Sequence, residues 1–334
     1  MSEGTFSIAA VQATPVVLDR EATVEKACGL IAEAASRGAR LVVFPEAFIP
    51  TYPDWVWALA PGEVGKHAGL YAELLEQAVS VPSPATERLC QAARDAGAYV
   101  VMGINERNDE ASGSSLYCCL LYIDDKGQIM GKHRKLVPTA AERLVWAQGD
   151  GSTLEAYDTG LGKLGGLICW ENYMPLARYA MYAWGTQIYV APTWDRGEPW
   201  LSTLRHIAKE GGVYVVGVCS TMRQSDLPEG VIGRVRYEGD GEDWINTGES
   251  AIVNPRGEVV AGPVSKKEEI IYAEVDPSSL GSRWWLDVAG HYGRPDVFGL
   301  TVRRDARPMI SDGQVSEAGS ALPEEVAAVR EELA

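Results

Sequence analysis

Histidine and phenylalanine are scarce in this 334-residue chain, at four residues each. The histidines, His67, His133, His206 and His291, all lie more than four residues from one another and from any cysteine, which excludes the ligand spacing of a structural zinc site. The six cysteines (Cys28, Cys90, Cys118, Cys119, Cys169 and Cys219) form no CxxC pair and read as reduced thiols rather than a disulfide framework. No apolar run approaches the roughly 18–20 residues that a membrane span requires. The opening MSEGTFSIAAVQ has no basic stretch leading into an apolar one, so the expected compartment is the cytoplasm. Positive charge is also in deficit, with 30 Lys and Arg against 46 Asp and Glu and a net charge of −16. Such a chain has little means of neutralising phosphates, which argues against nucleic acid as a partner.

Linkers, charge blocks and internal repeats are missing too, so the chain reads as a single domain over residues 1–302. An acidic tail, 303–334, follows and is suited to solvation or self-association. Hydrophobic residues make up 46% of the chain, enough for a large core. Short apolar runs at Phe6–Val11, Leu41–Phe44, Tyr99–Ile104, Leu116–Ile123, Leu164–Cys169, Gln187–Ala191, Val213–Cys219 and Ile270–Val275 predict strands. Helical spacing marks Glu21–Ala35, Ala85–Ala96, Pro175–Trp184 and Trp200–Glu210. Asp124–Gly127 and Asn254–Gly257 are hairpin turns, the first leading to a strand at Gln128–Met130 and the second linking Ala251–Asn254 to Val259–Ala261. Helices interspersed with buried strands predict an α/β protein with mixed sheets.

Gly160-Leu-Gly162-Lys-Leu-Gly165 matches the G-x-G-x-x-G pattern of dinucleotide sites. That chemistry needs the last glycine to open a helix whose N-terminus faces the pyrophosphate. Here the glycines lead into Leu167-Ile168-Cys169, an apolar strand, so a hairpin turn is the better account.

Three other segments carry chemistry. In Ile168-Cys169-Trp-Glu-Asn172-Tyr-Met-Pro175 a strand ends at a thiol, and a helix opens near Asn172, an N-cap candidate with Pro175 in the first turn. A thiol facing a helix N-terminus is expected to have a depressed pKa and thiolate character. The alternative for any cysteine is plain burial in a core. His133-Arg-Lys135-Leu-Val-Pro138-Thr follows a hairpin. It reads either as a solvated basic turn or as the source of a cation beside the thiolate. In Phe44-Pro45-Glu46-Ala-Phe48 a glutamate sits among apolar neighbours, where burial raises its pKa towards that of a general base. Its structural alternative is a satisfied loop carboxylate.

Together these segments resemble the nitrilase superfamily, whose members share a Glu–Lys–Cys triad, here Glu46 in FPEAF, Lys135 in HRKLVPT and Cys169 in ICWENYMP. The likeness runs from about Ser7 to Leu300 and includes Val145–Asp150 and Gly290–Asp296. Cys-Trp-Glu-Asn is similar to the true nitrilase branch. Amidase-like branches carry aspartate where Glu171 stands, and cyanide-degrading relatives carry histidine at Asn172. Glu142 matches a second glutamate of the family that holds the lysine.

The resemblance implies a four-layer α-β-β-α sandwich of two mixed sheets, a homodimer that builds larger oligomers or spirals, and no metal or organic cofactor. It implies a small-molecule nitrile as substrate, converted to acid and ammonia through a thioimidate and a thioester on Cys169. Lys135 and the backbone N–H of Trp170 would stabilise developing charge. Tyr52, Trp146, Trp170, Thr193 and Trp194 adjoin the motifs and are expected at the pocket wall. The stretch Thr51–Trp57 serves either the pocket or a subunit contact. An amidase-type or cyanide-degrading activity, or a catalytically silent scaffold on this fold, are the alternatives.

Overall fold

The computed structural model describes residues 4–237, 243–280, 283 and 286–306. Local chemistry sets most element boundaries. Helix α1 (Arg20–Ser36) begins where Asp19 accepts the Ala22 N–H at 2.9 Å. Helices α2 (Trp55–Ala58) and α3 (Val64–Gln77) follow. Helix α4 (Pro84–Ala96) has a Ser83–Thr86 capping box, proline in its first turn and left-handed Gly97 at its end. Helices α5 (Pro175–Ala183), α6 (Glu198–Gly211) and α7 (Glu229–Ile232) complete the set.

Among the described residues, the first sheet contains β1 (Phe6–Gln12), β2 (Ala39–Val43), β3 (Tyr99–Arg107), β4 (Leu116–Ile123), β5 (Ile129–Arg134) and β13 (Glu269–Val275), in the order β13-β1-β2-β3-β4-β5. The second contains β6 (Ala156–Thr159), β7 (Gly162–Gly166), β8 (Ile188–Thr193), β9 (Tyr214–Cys219), β10 (Thr221–Arg223), β11 (Trp244–Val253) and β12 (Val259–Ser265). Its order is β10-β11-β9-β8-β7-β6, with β12 also on β11. Both sheets are mixed: β1-β2-β3 and β7-β8-β9 are parallel, whereas β3-β4-β5 and β6-β7 are antiparallel.

The strands' two-residue period divides the apolar side chains into separate cores. Ile8, Leu41, Val101 and Leu120 of the first sheet meet Ile188, Val190, Val216 and Ile252 of the second. Val11, Val42 and Met102 face outward onto Val24, Ile31 and Leu89 of α1 and α4. Tyr189, Ala191 and Val215 face outward onto Met181, Leu204 and Ile207 of α5 and α6. The layers are therefore α-β-β-α. Each fully buried Leu, Ile or Val stabilises this arrangement by about 1.5–3 kcal/mol.

Several sequence expectations need correction. Helix α3 is one that helical spacing in the sequence does not mark, because only Leu70 and Leu74 of it are buried and Gly65 and Gly69 dilute its helical signal. Strand β5 runs on to Arg134, so Lys132 and Arg134 lie in the sheet and bond Glu106, and the basic segment is not a solvated turn. Strand β7 stops at Gly166, and a short 3-10 helix begins at Cys169. The glycine motif forms the β6–β7 hairpin, as its strand context predicts. The first residues of the acidic tail pack on the domain, with Arg304 bonding Glu155 and lying 5.1 Å from the Trp184 ring centroid. Residues 307–334 of that tail lie outside the described residues. No helix among the described residues is long and apolar enough to cross a membrane. All six cysteines are free thiols.

Candidate active site

Segments leaving the C-terminal ends of β2, β5, β7 and β8 converge at one edge of the sandwich, where ligands bind in sheets of this kind. Glu46 follows β2 and is bracketed by two ladder-like bonds, Phe44 N–H to Val101 and Ile49 N–H to Gly103. Gly103 permits this approach, because a Cβ there would collide with the Pro45 carbonyl. Lys135 extends β5, donating its N–H to the Cys118 carbonyl at 2.8 Å. Glu142 stands on a 3-10 helix at Ala140–Leu144 and accepts the Thr139 N–H at 2.6 Å.

These side chains form a buried chain of charge. The Lys135 ammonium donates to Glu46 Oε1 at 2.6 Å and to Glu142 Oε2 at 2.7 Å. Tyr52 donates its hydroxyl to Glu142 Oε1 at 2.6 Å and accepts the Trp57 indole N–H at 3.0 Å. Two carboxylates share one ammonium, so the cluster carries an uncompensated negative charge whenever both are ionised. Burial pushes Glu46 up to about 7 against the opposing pull of Lys135, as expected for a general base. Burial disfavours the Lys135 cation, but Glu46, Cys169 and Glu142 together outweigh it and hold the ammonium well above its ordinary value.

Cys169 sits at the start of its 3-10 helix with φ +51°. This left-handed conformation is costly for a residue with a side chain, so the surroundings must hold it. Asn172 does so from within the turn. Its amide donates to the Leu167 and Cys169 carbonyls at 3.0 and 2.8 Å, and its oxygen accepts the Tyr189 hydroxyl. Asn172 is therefore not an N-cap, and Met174 precedes α5 instead. Thr193, at the end of β8, donates its hydroxyl to the Cys169 sulfur at 3.2 Å.

The thiol also departs from expectation. Burial, with the Glu46 carboxylate nearby, raises Cys169 far above an ordinary thiol, and Lys135 and the Thr193 hydroxyl offset this in part. The dipole argument fails because α5 begins six residues later, at Pro175.

Glu171 ties the Lys135 and Cys169 segments together. It accepts Ile168 N–H at 2.7 Å and Leu136 N–H at 2.6 Å, and faces His133 Nε2 at 3.1 Å. Burial works against its carboxylate, but His133 and the two N–H donors outweigh this and hold it below the usual carboxylate value. The residue after Lys135 and the residue before Cys169 are thus tied to one carboxylate. Sequence reading marked Glu171 as a branch signature and missed this contact and His133.

A cavity of about 600 Å³ opens over Cys169. Its wall includes Tyr52, Trp57, Trp170, Trp194, Tyr237 and Trp244, with Asp54, Glu142 and Arg196 among its polar members. Tyr52 stacks on Trp194 with centroids 4.5 Å apart, and Trp194 donates its indole N–H to Asp54 at 2.6 Å. Burial pushes Asp54 up to about 6 despite that bond. Trp170, half exposed, bonds Asp195 at the mouth. Trp146 is not on the wall: it packs behind the cluster, 5.6 Å from Lys135 Nζ, and bonds Asn105. Thr193 lies beneath the thiol rather than on the wall. Trp57 resolves the ambiguous Thr51–Trp57 stretch in favour of the cavity. Asp54, Tyr237 and Trp244 carried no motif that would have identified them.

Glu46, Glu142 and Cys169 place one ligand atom each within 4.8 Å of one another, a grouping able to hold a metal ion. The Lys135 ammonium already bonds both carboxylates and supplies the counter-charge that an ion would bring.

Comparison with known proteins identifies relatives along nearly the whole chain. The Carbon-nitrogen hydrolase family profile matches residues 7–283. The chain is 45% identical to an aliphatic nitrilase of Sinorhizobium fredii, over 91% of this chain and 98% of that one. It is 41% identical to nitrilase 1 of Arabidopsis thaliana, over 92% and 89%. It is also 41% identical to the bifunctional nitrilase/nitrile hydratase NIT4A of Nicotiana tabacum, over 96% and 93%. Among solved structures, an amidase from Nesterenkonia sp. superposes with a TM-score of 0.63 at 19% identity, over 83% of this chain and 96% of that one. Nit3 of Saccharomyces cerevisiae gives 0.63 at 22%, over 86% and 96%. At such identities these two establish the fold.

Proposed function

The chain belongs to the carbon-nitrogen hydrolase family, and from that premise we propose that it hydrolyses an organic nitrile to the carboxylic acid and ammonia, with Cys169 as nucleophile. One observation carries the reading: a buried Glu46–Lys135–Glu142 chain lies beside a thiol that opens into an aromatic cavity.

Because the thiol is not ionised in advance, Glu46 takes its proton as sulfur adds to the nitrile carbon. The nitrogen receives a proton, and a thioimidate results. Lys135 stabilises developing charge from a fixed position, and the Trp170 N–H is placed in sequence to do the same. Glu46 then removes a proton from water, which attacks the thioimidate. Ammonia leaves the tetrahedral intermediate by cleavage of its C–N bond, giving a thioester. A second water, activated in the same way, releases the acid and restores the thiol. Two waters are consumed for each acid and ammonia formed. If the C–S bond breaks first, the amide is released after one water. Three similar proteins are described as bifunctional nitrilase/nitrile hydratase, which supports a branch at this step.

The reading extends to a cytoplasmic homo-oligomer, for whose association exposed Leu176 and Phe298, at 68% and 72%, offer apolar surface. The test is to supply matched nitriles and amides and quantify ammonia, acid and amide. Acid and ammonia from nitriles, abolished by C169A, are expected. Turnover of amides alone would replace this function with an amidase.

A further inference from the structure

We propose that Cys118, on β4 in the inter-sheet core, is a positioning residue for this reaction: its S–H fixes one oxygen of Glu46 and so commits the other oxygen to act as the base. The inference rests on the role assigned to Glu46 above.

The two oxygens of Glu46 are not equivalent. Oε1 receives the Lys135 ammonium at 2.6 Å and the Cys118 thiol at 3.5 Å. Oε2 is buried and has no hydrogen-bond partner among the described residues. Buried polar atoms are nearly always paired, so an unpartnered carboxylate oxygen beside a nucleophile is a position kept open for a proton or a water. A thiol facing a carboxylate in a core has one useful role, as donor. Burial and Glu46 together keep Cys118 protonated.

Cys118 also acts through its main chain, since its carbonyl accepts the Lys135 N–H at 2.8 Å. One residue therefore sets both the cation, through its backbone, and the base, through its side chain. The neighbouring Cys119 does neither. The strand period turns it into the opposite core, where its thiol meets the Leu120 carbonyl. Without the Cys118 donor, Lys135 alone restrains the carboxylate, which is then free to pivot about that bond.

The test needs no nitrile. Alkylation of Cys169 by iodoacetamide is followed by peptide mass from pH 5.5 to 8.5 in the wild type, C118A, C118S and E46Q. The wild-type rate rises through a limb near 7 as Glu46 ionises. A donor to a carboxylate favours its charged form, so C118A moves the limb upward by about half a unit. Above the limb C118A reacts about three- to tenfold more slowly, because the base is less well aimed. C118S retains a donor and keeps its limb nearer the wild type. The isosteric pair C118T and C118V, with and without the donor, makes the same comparison if C118A does not fold. Profiles for C118A that superimpose on the wild type overturn the proposal. Equal losses in C118A and C118S with an unmoved limb do so too, and show a packing role. A wild-type limb in E46Q overturns Glu46 as base and this proposal with it, whereas a limb that is absent from E46Q but unmoved in C118A keeps Glu46 as base and isolates the failure to Cys118.

Discussion

Thr193 donates its hydroxyl to the Cys169 sulfur at 3.2 Å, so the nucleophile of one loop is held by the end of the neighbouring parallel strand, β8. The bond steadies the sulfur as charge develops on it. T193V keeps the shape and removes the donor. Its expected effect is a fall in kcat/KM of about ten- to hundredfold, since hydrogen bonds to charged groups contribute about 1.5–3 kcal/mol. T193S should recover most of the loss, and steady-state kinetics with any accepted nitrile reads both.

The buried Glu171 carboxylate accepts two backbone donors and faces buried His133. In E171Q an amide N–H2 must meet one of those donors, and the expected destabilisation is about 3–5 kcal/mol, as for breaking a buried pair. Urea unfolding measures it. Because Glu171 is held below its ordinary value, its contribution is present above about pH 4.5 and is lost as pH falls further. The difference between wild type and E171Q should therefore shrink under acid.

Glu46 gives the opposite sign. Its value is raised from 4.5 to about 7, so the folded protein holds this proton more tightly than the unfolded chain does. That stabilisation is complete below about pH 4.5 and disappears as pH rises through about 7. Activity needs the ionised form, so kcat/KM should rise with pH across the interval in which Glu46 stops contributing to stability. A pH–rate profile flat from 5.5 to 8.5 would sink the assignment, and unfolding of wild type against E46Q over the same range checks the stability arm.

Tyr52 and Trp194 stack in the wall but have different tasks. Y52F keeps the ring and removes the donor to Glu142, so kcat should fall by about tenfold, the loss of one hydrogen bond to a charge, with KM little changed. W194F leaves the charge cluster intact and removes the N–H from Asp54, so KM should change more than kcat. The same split in both variants would show that wall and cluster are not separate.

The layers were legible because β-branched and aliphatic runs such as Leu41–Val43 and Val213–Val218 admit few alternatives to a buried strand. Helix α3 was not, since a helix that buries two leucines carries almost no periodic signal. The triad was legible from three motifs in order, resting on resemblance as much as on residue chemistry. What surrounds it was hidden. The roles of Cys118, Asp54 and His133 depend on contacts across 72, 140 and 38 positions, which no local pattern encodes. The Cys169 thiol was misjudged because the dipole argument assumes an α-helix opening near Asn172, whereas α5 starts only at Pro175. Here a positive-φ turn intervenes and burial dominates.

Strand β1 pairs with β13, Phe6 opposite Val275, so the first sheet is finished by the last strand among the described residues. Base and cation leave that sheet, while nucleophile and Thr193 leave the other. During synthesis the chain therefore carries every catalytic residue for more than a hundred positions before the scaffold that aligns them can close. The raised pKa of Cys169 comes from burial and from Glu46, and both belong to the closed sandwich. The electrostatics of the site, like its alignment, are therefore a product of that last closure.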